Sequence, residues 1–254
     1  YVGHLFKVKH LTFIHYHTKF GGKHMKISPT LTEVKEIAKT GKYDILPVSC
    51  EILSDFITPI EAMRILQNVS THCYLLESAQ ANEAWGRYTF LGYDPKLEIN
   101  CIDGHMKLGK LSVETENPSE YIRQILSEYK SPKFDYLPSF TGGLVGYFSY
   151  DYLGYKEKSI RGKARDTEDF KDVDLMLFDK VIAFDNLCQK IILIANMSLD
   201  APETGYNKAI VELKQLMELL MHGEKKQNMG GKLLGEVTPL FEKEQYCEMV
   251  EKAK

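Results

Sequence analysis

No apolar run in the 254-residue chain approaches the ~18 residues that a membrane-spanning helix needs, so no membrane segment is expected. Neither sign of charge is in excess: 32 Lys and Arg stand against 35 Asp and Glu, a formal net charge of −3. That balance removes any general electrostatic reason to expect a nucleic-acid partner. No CxxC pair occurs, and the five cysteines (Cys50, Cys73, Cys101, Cys188, Cys247) are scattered and odd in number. Such usage fits a reducing, cytoplasmic setting better than a disulfide framework or a zinc site. The common catalytic signatures GxSxG, HExxH, GxxxxGK[ST] and GxGxxG are all missing. Gly142-Gly143-Leu144-Val145-Gly146 has no Lys-Ser/Thr after it and no helix start to bind an anion. Its glycines read as close backbone packing in a buried strand. What remains is ordinary globular material, 44% apolar and 26% charged, enough for one large domain or two small ones.

The averages conceal a seam. The first 24 residues hold four lysines, no acid and five of the eight histidines, and without them the chain carries 28 basic and 35 acidic residues, a net of −7. The segment lacks the Arg/Ser content or the apolar stretch with small residues that targeting peptides show. His15-Tyr16-His17 with His10 nearby is a weak metal pattern. Residues 1–24 are therefore expected to be a non-native or disordered extension, and the domain proper to open at Met25.

Beyond the seam, helix and strand signals alternate. A helix begins near Pro29 and closes at Gly41, with Leu31, Val34, Ile37 and Ala38 on one stripe. Residues 44–53 read as a strand with Pro47 marking an edge. Thr58-Pro59-Ile60-Glu61 is a capping box that opens a helix to about Val69. Short strands follow at 73–76, 88–93, 97–101, 105–108 and 111–114, with Asp103-Gly104 as a hairpin turn. A helix starts at Asn117-Pro118 and carries Tyr121, Ile125 and Tyr129. Residues 175–185 and 190–197 read as one long hairpin turning near Asn186, and 203–222 as an amphipathic helix. Residues 223–239 read as a linker, and a last helix with Tyr246, Met249 and Val250 in register has no stop signal. The mixture is expected to be α+β (mixed α/β), with antiparallel β-sheet layers flanked by helices.

Two clusters could carry chemistry. In the first, the strand ending Leu75-Leu76 delivers Glu77 and Ser78, and Arg87 begins the next strand after Asn82-Glu83-Ala84-Trp85-Gly86. A carboxylate and hydroxyl could hold an ammonium, and a guanidinium could hold a carboxylate, which together would suit the backbone of a free amino acid. The plainer alternative, a hairpin end with a solvated salt bridge, has the better claim from the residues alone. In the second, Tyr147, Phe148 and Tyr150 surround Ser149 and Asp151 within residues 146–151. That group reads as core.

The run LLESAQANEAWGRYTFLGYDP (75–95), together with FTGGLVGYFSYD (140–151), resembles the N-terminal region of anthranilate synthase component I. The final EQYCEMVEKAK (244–254) resembles the start of that family's chorismate-utilising domain. The resemblance covers roughly residues 26–254. It implies a β-sandwich fold of which this chain supplies half. Residues 25–222 would be the regulatory domain, 223–239 a linker, and 240–254 the truncated start of the chorismate-binding domain. The implied activity is a lyase that converts chorismate and ammonia to anthranilate and pyruvate with Mg2+, at the first step of tryptophan synthesis. A glutamine amidotransferase subunit (component II) would supply the ammonia, and L-tryptophan would inhibit the enzyme. The resemblance places Ser78 in the tryptophan site, with Glu77 beside it and Arg87 at a position where the family carries a basic residue. It also implies that chorismate and Mg2+ bind in a domain absent here, so that no residue of this chain is catalytic and the chain alone is inactive. Two alternatives stay open, an aminodeoxychorismate synthase large subunit of the folate pathway and a stand-alone amino-acid-sensing module.

Overall fold

The computed structural model describes residues 26–78, 86–160, 170–227 and 230–254. The expected extension over residues 1–24 lies outside these, as do Asn82, Glu83, Ala84 and Trp85 of the first cluster.

Local sequence chemistry starts several of the elements. After the short strand β1 (Ile27–Ser28), helix α1 (Leu31–Lys39) is capped by Thr30, whose hydroxyl accepts from the Glu33 amide while the Glu33 carboxylate accepts from Thr30. The reciprocal box puts Pro29 ahead of the cap and not inside the helix, correcting the expected start. Strand β2 (Ile45–Leu53) leads to α2 (Pro59–Val69), whose Thr58–Glu61 capping box and first-turn Pro59 stand as the sequence implies. Then come β3 (Cys73–Leu76), β4 (Tyr88–Tyr93), β5 (Leu97–Ile102), β6 (His105–Leu108) and β7 (Leu111–Glu114). Between β5 and β6, Asp103 and Gly104 have φ of 49° and 85°. Two positive values in a two-residue loop suit the twist of a tight hairpin. Helix α3 (Pro118–Ser127) stops short of Tyr129, over whose ring Lys96 lies. Strand β8 (Gly143–Phe148) is followed by a 3-10 turn (Tyr150–Tyr155). The chain continues through β9 (Val173–Phe178), β10 (Lys180–Asp185), β11 (Lys190–Ser198), α4 (Pro202–His222) and α5 (Lys243–Ala253).

The strands form two antiparallel sheets, one of six strands in the order β1-β2-β11-β10-β4-β3 and one of five in the order β7-β6-β5-β9-β8. Helices and antiparallel sheets together make the α+β fold that the pattern implies. The expected single strand over 175–185 is two strands, parted at Asp179 and belonging to different sheets. The β4–β5 segment parts likewise at Asp94, whose φ is 53°. Two ribbons thus run through both sheets: β4 pairs with β10 in one, and β5 with β9 in the other. Asn196 latches the corner, its Nδ2 donating to the carbonyls of Thr141 (2.6 Å) and Asp179 (3.0 Å). The Pro47 expectation fares well. It sits on β2, whose outer side β1 covers only at Ser49 and Cys50.

The main core lies between α1, α2 and α4 and one face of the six-stranded sheet. Val34, Leu66, Leu213 and Leu216 meet Leu46, Val48, Ile191 and Leu193 there. The opposite face buries Val181, Ala183, Ile192 and Ile194 beneath Leu137, Phe134 and Phe140. A third cluster joins the five-stranded sheet to α3 and the 3-10 turn through Ile99, Met106, Ile122, Tyr152 and Tyr155.

Strand β8 departs from the sequence expectation, because it is an edge strand with Gly146 to Phe148 exposed. The close approach expected of its glycines is nevertheless real. A Cβ on Gly146, at φ 151°, would stand 1.9 Å from the Asp174 carbonyl oxygen. The first residues of the 223–239 segment are strapped to α2. The Lys226 amide donates to the Arg64 carbonyl and the Arg64 Nε donates back to the Lys226 carbonyl, both at 3.0 Å. Lys225 pairs with Glu61. Helix α5 has no buried residue. Among the described residues, no helix is long and apolar enough to cross a membrane.

Candidate functional site

The first cluster forms at one end of the six-stranded sheet, where β3 stops and β4 starts. Leu76, the last paired residue of β3, stands opposite Phe90. Glu77 and Ser78 therefore leave the sheet near the level at which Arg87 and Tyr88 enter β4. Both are exposed, and Arg87 is partly so. The three residues singled out in the sequence are thus brought to the same end of the β3–β4 pair, as the strand signals on either side of the loop require.

Arg87 is bound more firmly than a solvated hairpin end would demand. Its Nε donates to Asp185 Oδ1 at 3.1 Å and its Nη2 to Asp185 Oδ2 at 2.8 Å. This is a two-pronged charge-assisted contact between residues 98 positions apart. The Asp185 side chain is fully buried (0% exposed) while that of Arg87 is 36% exposed. Nη2 also reaches Cys188 Sγ at 3.6 Å, and the guanidinium carbon lies 4.9 Å from the centre of the Tyr88 ring. Burial pushes the Asp185 carboxyl up, but the Arg87 fork and the Cys188 amide, which donates to Oδ1 at 3.0 Å, hold it below its ordinary value overall. The hydrogen bonds to Asp185 raise the guanidinium's own pKa. Asn186 completes the fastening. Its amide donates to the Arg87 carbonyl (2.8 Å), and its Nδ2 lies 3.4 Å from both the Gly86 carbonyl and the buried Thr89 hydroxyl.

Asp185, Asn186 and Cys188 are the residues that sequence reading missed. A signal was present, since Asp185 is the single acid ending the apolar run Val181 to Phe184, where a buried charge calls for a partner. Nothing in the sequence named Arg87 as that partner.

The second cluster is no core. Tyr147 is 41% exposed, Phe148 49% and Tyr150 87%. The Ser149 hydroxyl accepts from the Tyr152 amide and so caps the 3-10 turn. Further along that turn, the Tyr155 hydroxyl donates to Asp172 (2.7 Å) and accepts from the Gly104 amide (2.7 Å), tying the turn to the β5–β6 hairpin. These are structural bonds. Among the described residues, no group of three or more His, Cys, Asp or Glu side chains gathers as a metal site.

A family model described as chorismate binding enzyme matches residues 71–254, a span that takes in everything from the approach to β3 through α5. "Anthranilate synthase component 1" of Acetivibrio thermocellus is 31% identical over 244 residues, covering 89% of this chain and 47% of that protein. The protein of the same name from Pseudomonas aeruginosa is 36% identical over 186 residues, covering 70% of this chain and 37% of that one. Among solved structures, anthranilate synthase component I from Streptococcus pneumoniae TIGR4 superposes with a TM-score of 0.51 at 25% identity, covering 80% of this chain and 44% of that one. The chain spans about half the length, or less, of these relatives.

Proposed function

Since the chain belongs to the chorismate binding enzyme family, we propose that it forms the tryptophan-sensing part of an anthranilate synthase component I. The parent enzyme is a lyase that converts chorismate and ammonia to anthranilate and pyruvate, feeding tryptophan synthesis in the cytoplasm. A glutamine amidotransferase subunit, component II, delivers the ammonia. Mg2+ and chorismate are handled by the part of the relatives that this chain does not cover. No catalytic step is therefore assigned to these residues, and the chain alone is expected to form no anthranilate.

The observation that supports the sensing role is the placement of Glu77, Ser78 and Arg87 at the same end of the β3–β4 pair. A hydroxyl and a carboxylate there face an amino acid's ammonium end, and a guanidinium answers its carboxylate. Aromatic side chains nearby, Tyr88 and Phe90, supply apolar surface. Inhibition then requires that tryptophan bind one state of the enzyme better than another.

The test uses the full-length enzyme with its amidotransferase. Ser78→Ala removes one hydrogen bond to a charged group, worth about 1.5–3 kcal/mol, and should raise the half-inhibiting tryptophan concentration roughly tenfold or more. Unchanged inhibition would overturn the assignment. The same assay identifies the product, and an aminodeoxychorismate product instead of anthranilate would move the protein to the folate pathway.

A further inference from the structure

We infer that Asp185 is a positioning residue for the amino-acid site. It grips Arg87 by the Nε–Nη2 edge and so aims the remaining Nη1 edge at the ligand's carboxylate. The inference rests on the tryptophan-site reading and adds to it a residue that no motif contains.

Three observations carry it. The fork is side-on, with Nε and Nη2 both committed to Asp185. A guanidinium has two edges able to meet a carboxylate two-pronged, and here one is occupied by protein. The bonds that Arg87 makes to described residues leave from Nε and Nη2, and none of them from Nη1. Next, the orientation is over-determined. Asp185 is itself fixed by the Cys188 amide and by its place in β10 opposite Tyr88, and the Arg87 backbone is fastened by Asn186. A long, flexible side chain is thereby held in one direction before any ligand arrives, which lowers the entropy lost on binding. Last, the pairing is selective in charge. Asp185 neutralises Arg87 in the empty site, so the ligand's carboxylate meets a dipolar fork and not an unmatched cation. With Nη2 shared between Asp185 and Cys188, the donor left for that carboxylate is Nη1.

Removing the Asp185 charge should therefore harm recognition of the ligand's carboxylate and little else. Asp185→Asn can accept one of the two bonds, and Arg87, already 36% exposed, is then free to turn toward water. The experiment compares L-tryptophan with L-tryptophanamide, which keeps the indole and the ammonium but lacks the carboxylate. Both are titrated against the full-length wild-type and Asp185→Asn enzymes by inhibition and by calorimetric binding, with thermal melting to establish that the variant is folded. The expected result is a loss of at least about tenfold for tryptophan, with tryptophanamide shifted by no more than about twofold. Equal losses for the two ligands would make Asp185 a structural residue and overturn the inference. No change for either would overturn it as well. If Asp185→Asn does not melt cooperatively, Arg87→Lys serves in its place. It keeps the charge but has one ammonium to divide between Asp185 and the ligand, and the same tryptophan-selective loss is expected. Equal or absent effects of Arg87→Lys on the two ligands would overturn the inference. A wild-type enzyme that binds no tryptophan would instead fail the site reading itself, an outcome distinct from a wild type that binds and an Asp185 variant that does not discriminate.

Discussion

Arg87→Met and Asp185→Asn remove opposite halves of one ion pair, yet their costs in stability should differ severalfold. Asp185 has no exposed side-chain surface, whereas Arg87 keeps about a third of its own. Taking Arg87 away leaves a buried carboxylate with the Cys188 amide as its remaining strong donor. Breaking a buried pair in this sense typically costs 3–5 kcal/mol, and the lower end, about 3 kcal/mol, applies where an amide hydrogen bond survives. Taking the Asp185 charge away removes the group that was expensive to bury, and Arg87 can solvate itself, so about 1 kcal/mol is expected. For a chain of this size, 1 kcal/mol corresponds to roughly 2–4 °C in melting temperature, which makes the two variants easy to separate. Their pH dependence should separate them again. In the wild type the Asp185 carboxyl titrates below its ordinary value, so its contribution is present above about pH 4 and is lost as pH falls through the folded-state value. In Arg87→Met the push from burial dominates and the folded-state value rises above the unfolded one. Stability is then best at low pH and falls as pH climbs. The deficit of Arg87→Met relative to wild type should therefore shrink between pH 7 and pH 4.5. Urea melts across that range measure it directly. Equal destabilisation by the two variants, or a deficit that is flat with pH, would refute the reasoning.

Three further outcomes follow from other sites. Tyr74 is buried with a hydroxyl that has no hydrogen-bond partner among the described residues, while its ring packs 4.7 Å from that of Phe178. Tyr74→Phe keeps the ring and deletes the orphan, so calorimetry should find it unchanged or stabilised by up to about 1 kcal/mol, and a clear loss would show that the hydroxyl is bonded. Gly146→Ala drives a methyl against the Asp174 carbonyl at a positive φ, and denaturant melts should show it destabilised by at least about 2 kcal/mol. Cys50 is 1% exposed, and burial, with a smaller contribution from Glu51, pushes its thiol up to about 12. Its contribution is full below the unfolded thiol's pKa near 8.5 and is lost as pH rises toward the folded-state value. Cys50→Val should accordingly flatten the decline in stability between about pH 9 and pH 11, and an unaltered slope would count against that.

What could be read from the sequence was set by chemistry between near neighbours. The Thr58–Glu61 box, the Asp103-Gly104 turn and the limits of β3 and β4 depend on residues within a few positions of one another, and they stand as read. The exceptions depend on partners far away. The unbroken β pattern over 175–185 hides a change of sheet at Asp179, because either sheet would accept the same apolar residues. The glycines of β8 signalled close packing correctly, but whether a second neighbour covers the strand is decided by the rest of the fold. At the candidate site, Glu77, Ser78 and Arg87 were visible as strand ends. The Asp185 partner was hidden by its 98-residue separation from Arg87.

The long pairing of β2 with β11 also bears on how the molecule is made. Leu53 faces Lys190 and Ile45 faces Ser198, so partners lie 137 to 153 positions apart. At a synthesis rate of about 5–20 residues per second, β2 leaves the ribosome roughly 7–30 seconds before β11 does. Throughout that interval Leu46, Val48 and Cys50, fully enclosed in the finished protein, have no sheet to join. The nascent chain therefore presents a sticky segment early and resolves it late, and its yield in a cell should depend on chaperones that shield β2 until β11 arrives.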